Sequence, residues 1–378
     1  MRWQARFALI MVLSNFGAHA APELAVEPAL NESVSMVKNN RLVPLDLETT
    51  IFRPPGPGPF PVVVINHGKA SGPNRLQARY RPLPAVREFL KRGYAVVVPM
   101  RQGFSNSGGK AVGEGCNIAA NGSAQAEDVR AVVTWIEKQP WADAQHMVML
   151  GQSHGGLTTL AYARDPHPGF KLFVNFAGGL KYNSDTCQWE LALKSAYADY
   201  GAETKVPTLW FYGANDSFFP PAVISPAHAA YVAAGGSAEM VAYEAFEGDA
   251  HGMFGSPRGL RIWWPIVQAR LTGVGMPTEI TYPVFADAGR IPVPPPSRDA
   301  RIDDLAKLPH LNESGPKGYR QFLTKAPPRA FAVGPEGHWA WNEGADDSPR
   351  RAMESCQTKA NAPCRLYAVD NDVVWSEP

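Results

Sequence analysis

Between Leu42 and Gly273, apolar runs of strand length alternate with amphipathic stretches of helix length, the pattern of a mostly parallel sheet covered by helices on both faces. Pro61–Asn66 and Tyr94–Pro99 are apolar and β-branched, as strands buried on both faces must be. The helix between them, around Ala85 to Arg92, closes on Gly93, a residue suited to the left-handed turn that ends helices. From Ala124 to Lys138, Val129, Val132, Val133 and Ile136 share one helical face, and Met147–Leu150 supplies the next strand. Leu172–Phe176, Thr208–Tyr212 and Met240–Tyr243 continue the series, and a last helix is expected from near Arg258 to Leu271, kinked at Pro265.

After Gly273 the chain becomes Pro-rich and weakly periodic through about Gly315, which reads as a linker or a strap over the main domain. Order then returns. Arg329–Val333 and His338–Trp341 flank a Gly-Pro-Glu-Gly turn, Ser348-Pro349 opens a helix, and Leu366–Val369 reads as a strand. The expected organisation is a signal segment over 1–20, an N-terminal extension over 21–41 and a catalytic domain over 42–273. A linker over 274–315 and a small β-β-α-β unit over 316–378 complete it.

Composition narrows the partners. The 378 residues carry 36 Lys+Arg against 35 Asp+Glu with no basic run, so a nucleic-acid partner is not expected. Arg2 and Arg6 flank a short polar start, Phe7–Leu13 is apolar, and Ala18-His19-Ala20 supplies small residues for cleavage. Export to the periplasm or beyond is therefore expected, with maturation at Ala21 and no stable membrane insertion afterwards, because no later stretch approaches a membrane span. In an oxidising compartment the four cysteines should pair. Three connectivities exist, and Cys116 with Cys187 and Cys356 with Cys364 are favoured because each pair stays within one unit; their spacing does not suit a metal site.

The most specific local signal is Gly151-Gln152-Ser153-His154-Gly155-Gly156, directly after one strand and before an apolar helix. Strand, sharp turn and helix are the context in which a G-x-S-x-G serine projects its hydroxyl above a sheet. A serine hydroxyl needs a base, and the base needs an orienting acid. Asp216 lies just beyond one later strand and His251 just beyond the next, and the carboxyl ends of parallel strands share one edge. Asp249, two residues from His251, is the competing acid. For the oxyanion, one backbone donor is expected at His154 and the other in Asn66-His67-Gly68-Lys69-Ala70, assigned to Lys69 with Gly68 and Ala70 as neighbours in register. Lys69, Arg75, Arg79, Arg81 and Arg101 fall on loops near that edge, where they could steer an acidic substrate or form a solvated rim. Trp189 and Tyr197 could wall an acyl pocket or pack a cap helix.

These residues resemble the α/β-hydrolases, and their spacing with Asn66-His67-Gly68 is similar to the dienelactone-hydrolase-like branch over residues 42–273. The resemblance implies an exported serine hydrolase that cleaves carboxylic esters or lactones without a cofactor, through an acyl-enzyme, on small-molecule substrates. Ser153 stands where dienelactone-opening members typically carry Cys, so that substrate does not transfer. Two alternatives remain in view: a prolyl-oligopeptidase-like exopeptidase lacking the propeller, which the forty or so residues before the core are too few to build, and a catalytically silent binding scaffold.

Overall fold

The computed structural model describes residues 26–375, apart from 71, 114, 298–299, 326–327 and 344–346. The expected signal segment lies outside the described residues.

The main sheet has eight strands. They are β1 (Glu32–Lys38), β2 (Asp46–Phe52), β3 (Phe60–Asn66), β4 (Ala95–Pro99), β5 (Ala142–Gln152), β6 (Phe170–Phe176), β7 (Thr208–Gly213) and β8 (Ala238–Tyr243), in the order β1-β2-β4-β3-β5-β6-β7-β8. β1 and β2 run antiparallel to their neighbours and the rest are parallel. This is the α/β-hydrolase arrangement. The alternation of side chains along each strand feeds two cores. Val62, Val64, Met147, Met149 and Trp210 pack under α2 (Ile118–Glu137), α3 (His154–Tyr162), α4 (Trp189–Glu203) and α5 (Pro221–Ala233). Val63, Ile65, Val148, Leu150 and Phe211 pack under α1 (Leu83–Leu90) and α6 (Leu260–Gly273), and Pro265 lies inside α6.

One boundary differs from the sequence reading. The segment expected as an extension over 21–41 contains β1, whose seven residues pair antiparallel with β2, so the sheet begins before residue 42. Polar Ser33 and Ser35 and the exposed Met36 disguised it, because an edge strand half open to water shows no continuous apolar run. The Pro-rich segment is a strap. Thr281 and Tyr282 donate to the Lys91 carbonyl at 2.8 and 2.9 Å, Tyr94 donates to Pro277 O at 2.7 Å, and Phe285 is buried in the α1–α6 core.

The C-terminal unit is a second sheet, ordered β10-β9-β11-β12, of β9 (Arg329–Val333), β10 (Trp339–Glu343), β11 (Arg365–Val369) and β12 (Asp372–Val373). α8 (Ser348–Ala360) covers one face. On the other, Tyr319 and Phe322 of α7 (Gly315–Leu323), a helix the sequence reading did not place, pack on Phe331 and Tyr367. Disulfides join Cys356 to Cys364, from α8 to the approach to β11, and Cys116 to Cys187, from the approach to α2 to the loop before α4.

This unit is docked by desolvated charge. Glu32 of β1, with a fully buried side chain, accepts from Arg79 and from Arg81, and Arg81 reaches across to Asp347 at 2.9 Å. Asp347, equally buried, also accepts from Arg350 at 3.0 Å and Arg351 at 2.8 Å.

Candidate active site

Ser153 tops the turn between β5 and α3 with φ +56° and ψ −124°, a conformation a serine holds only when its surroundings force it. Its N–H donates to Phe176 O at 2.9 Å, while its carbonyl accepts from Gly156 N at 2.8 Å and Gly179 N at 3.0 Å. Close approach enforces the flanking glycines: a Cβ on Gly155 would lie 2.1 Å from Asn66 O, and one on Gly151 2.1 Å from Gly155 O.

Asp216 follows β7 and His251 follows β8, and the structure brings them together. His251 Nδ1 lies 3.2 and 3.1 Å from the two Asp216 oxygens. Asp216 Oδ1 also accepts from the Phe218 and Phe219 N–H groups, both at 2.9 Å. Burial pushes this carboxyl upward, but the His251 hydrogen bond and charge and the two amides outweigh it, so its pKa lies below the ordinary value. The competing acid has another occupation. Asp249 accepts from the His251 backbone N–H at 2.9 Å and from Ser217 N at 3.1 Å and Oγ at 2.5 Å, so it staples the two loops together while the imidazole faces Asp216.

Four residues at this site were passed over in the sequence. Gln152 Nε2 donates to the His251 carbonyl at 3.0 Å, and Tyr80 donates to Gln152 Oε1 at 2.8 Å, fixing the His251 backbone against the serine turn. Phe218 and Phe219 place their rings 4.4 and 5.6 Å from the His251 ring. Adjacency to Ser153 and Asp216 was the available signal for Gln152 and the phenylalanines; Tyr80 had none.

The loop after β3 lies against the serine: a Cβ on Gly68 would be 3.2 Å from Ser153 Cβ. Within it, the Gly68 carbonyl faces His67 Nδ1 at 2.7 Å and accepts from Gln77 Nε2 at 3.1 Å. His67 Nε2 accepts from Arg101 N at 3.1 Å, so Nδ1 carries the ring proton and donates to Gly68 O. Because a trans peptide points its C=O and N–H in opposite directions, holding the Gly68 carbonyl fixes the direction of the Lys69 N–H. The Ala70 N–H is used by Gln77 Oε1 at 2.8 Å, whereas the Lys69 and His154 N–H groups have no partner among the described residues.

Beneath this loop lies a polar cluster. Arg101 is fully buried, donating to His67 O at 2.7 Å and to Gln125 Oε1, and burial lowers its pKa to about 9 against the opposing pull of Asp128. The His154 ring sits 2.8 Å from Asn121 Oδ1. Burial first, then the Arg101 charge, holds both His67 and His154 well below the ordinary histidine value. A depressed pKa means the unfolded chain binds protons that the folded one refuses. Their contribution to stability is therefore complete above about pH 6.5 and is lost as pH falls from there toward the folded values. The melting temperature should drop between pH 7 and pH 5, with a shallower drop in His154→Asn; equal slopes in the two proteins would contradict the assignment.

The cations expected at the rim divide sharply. Arg75 is spent on the carbonyls of Ser105, Ser107 and Gly109, Arg79 and Arg81 on the C-terminal docking network, and Arg101 is buried. Lys69 remains exposed. Of the two aromatics weighed as pocket walls, Tyr197 is core, donating to Gly178 O at 2.7 Å. Trp189 is core as well, almost fully buried, with its ring 6.2 Å from that of Phe219. Among the described residues, no group of three His, Cys, Asp or Glu side chains could hold a metal ion, and no helix is long and apolar enough to cross a membrane.

Residues 45–190 match the family model of X-Pro dipeptidyl-peptidase (S15 family), a span that includes Ser153 but neither Asp216 nor His251. No curated protein matches the chain. Among solved structures, a putative dienelactone hydrolase from Klebsiella pneumoniae is similar at 20% identity and TM-score 0.47, over 64% of this chain and 98% of its own. The Pyrococcus furiosus esterase Pf2001 is similar at 16% identity and TM-score 0.49, over 65% of this chain and 95% of its own. Porphyromonas gingivalis dipeptidyl peptidase 4 is similar at 19% identity and TM-score 0.49, over 64% of this chain but 35% of the peptidase.

Proposed function

We propose that this α/β-hydrolase is an exported serine hydrolase of carboxylic esters or lactones, with Ser153 as nucleophile, His251 as general acid/base and Asp216 as its orienting acid. The observation that carries this reading is the His251–Asp216 contact at 3.1 Å beside a strained serine turn whose neighbour Gln152 grips His251.

Ser153 Oγ bonds to the substrate carbonyl carbon as its proton passes to His251 Nε2, and the carbonyl π pair becomes an oxyanion. Asp216, ionised and held by two amides, keeps the imidazole proton on Nδ1 and stabilises the imidazolium. The His154 and Lys69 N–H groups are the donors available to the oxyanion, and their fixed direction means that little reorganisation accompanies charge development. Collapse re-forms the carbonyl and breaks the bond to the leaving alcohol, which takes the proton from His251. Water then adds to the acyl carbon, giving its proton to His251, and Ser153 Oγ departs with that proton as the acid is released.

Purified protein should show a burst with p-nitrophenyl acetate and take a fluorophosphonate label on Ser153. No burst and no label would sink the hydrolase reading and leave the silent scaffold. The family-model match over residues 45–190 favours a second reading, an exopeptidase; cleavage of aminoacyl-nitroanilides faster than acetyl esters would establish it. The ester reading is preferred because an exopeptidase that works from the amino end, as a dipeptidyl-peptidase does, must bind a free α-ammonium with a carboxylate. The carboxylates nearest His251 in sequence are already engaged, Asp249 by Ser217 and Glu247 by Arg258 at 2.8 Å. Export fits the two disulfides, and N-terminal sequencing of the secreted protein should begin at Ala21.

A further inference from the structure

Tyr80 stands between two arginines whose side chains turn the other way. Its hydroxyl donates to Gln152 Oε1 at 2.8 Å, and the other end of that amide donates to the His251 carbonyl at 3.0 Å. Arg79 and Arg81 reach instead to Glu32. Three consecutive residues thus tie the backbone of the base on one side to a buried ionic cluster on the other. Arg81 completes that cluster: Nε and Nη2 donate to the two Glu32 oxygens, and Nη1 crosses to Asp347 of the C-terminal unit at 2.9 Å. Without Asp347, Arg81 keeps Glu32, but Nη1 loses its acceptor on a side chain only 6% exposed. An unpaired charged donor in such a place is costly, and the guanidinium relieves it by turning toward water. That turn pulls on the adjoining Tyr80, whose bond to Gln152 weakens as its geometry is lost. The unit also reaches the loop of the base directly. Arg258, just past the turn that carries His251, pairs with Glu247 at 2.8 Å and lies 3.9 Å from Asp370 of the C-terminal unit. Where Gly248 and Asp249 face Thr324, Lys325 and Asn371, a cleft of about 570 Å³ separates the loop from the unit. The connection is therefore carried by a few polar side chains and not by a packed apolar face.

We infer that the docked C-terminal unit holds the base in place, Asp347 acting through Arg81 on Tyr80 and Gln152, the two positioning residues of His251. This deepens the serine hydrolase reading and rests on it. His251 must present Nε2 to Ser153 while Nδ1 stays on Asp216, and its side chain pivots on the backbone that Gln152 holds. A misplacement of about 1 Å caused far from the chemistry can cost on the order of 100-fold in rate. The same imidazole serves acylation and deacylation, so both steps slow together. The loss therefore falls on kcat, with KM nearly unchanged.

The test measures kcat and KM on p-nitrophenyl acetate, and the rate of fluorophosphonate labelling at Ser153, for Tyr80→Phe, Asp347→Ala and the double variant. The temperature is one at which melting curves show each protein folded. Each single change should lower kcat and the labelling rate by about 10-fold or more, with KM within about twofold of the parent. The double variant should lose little beyond the larger single loss, because both changes interrupt one route. If Asp347→Ala does not fold, Arg81→Lys takes its place in the cycle, since an ammonium cannot bridge Glu32 and Asp347 as the guanidinium fork does. Paired Cys356→Ala and Cys364→Ala changes supply the control. They remove the disulfide and so weaken the same unit away from Arg81, and should lower the melting temperature while kcat stays close to the parent's. If the parent is active, three results would each overturn the coupling and leave the hydrolase standing: unchanged kcat in either single variant, losses that multiply in the double variant, or an equal fall in the disulfide-free control. If the parent neither turns over the ester nor takes the label, both readings fall together.

Discussion

Ser153→Ala should lower kcat on an activated ester by about 10^5- to 10^6-fold, because nucleophile and base act as a unit and their loss leaves only binding and oxyanion stabilisation. The protein should remain folded, since the turn is held by main-chain bonds to Phe176, Gly156 and Gly179 that the hydroxyl does not make. Asp216→Asn should cost about 10^4-fold, by offering His251 Nδ1 an amide and so disturbing the tautomer that the reaction needs. Asp249→Asn gives the decisive comparison. Its oxygen can still accept from the His251 N–H, and its ring-facing neighbour Asp216 is untouched, so the loss should be far smaller. Equal losses from the two aspartates would mean that the acid has been misassigned.

Asp347→Ala should destabilise the whole chain by about 3–5 kcal/mol, the cost typical of removing one partner from a buried ionic cluster. Arg81, Arg350 and Arg351 converge on this carboxylate, and Arg81 is itself only slightly exposed. Without Asp347 they must share Glu32 and Glu354 or drag water into the interface. Denaturant unfolding measures the effect. A loss under about 1 kcal/mol, the range of exposed pairs, would show that the C-terminal unit is only loosely docked. The acid side carries a second signature. Burial raises the Asp347 pKa, but Arg351, Arg81 and Arg350 together bring it below the ordinary value. Its contribution is complete above the unfolded carboxyl value of about 3.9 and disappears as pH falls through the folded one. The variant should therefore lose less stability than the parent on acidification below about pH 4. Truncation before residue 315 would remove the same carboxylate together with the sheet around it, so the core freed in this way is expected to be less stable than the full chain.

The strands from Pro61 to Tyr243 were legible because a parallel sheet buried on both faces demands uninterrupted apolar runs, and Val62–Ile65 or Ala95–Val98 meet that demand without help from elsewhere. β1 was not, because half of its surface is open to water and its identity depends on pairing with β2. α7 is short and Gly-Pro-initiated; its apolar pair Tyr319 and Phe322 acquires meaning only against Phe331 and Tyr367. At the candidate site, Ser153, Asp216 and His251 could be chosen in advance because strand ends constrain where such groups lie. The choice between Asp216 and Asp249 became concrete when the ring of His251 was found facing one and its backbone the other.

The sequence by itself determined the order of elements, the strained serine turn and the residue types able to perform acyl transfer, since each follows from local patterning and from how tightly glycine lets a strand and helix approach. Tertiary structure decided which charges are spent and which remain. Arg79, Arg81 and Arg101 look alike in sequence to Lys69, but desolvation and partners elsewhere in the chain such as Glu32, Asp347 and Gln125 consume the arginines. A charge's role depends on what lies within a few ångströms of it, and that is settled by parts of the chain 24 to 266 residues away.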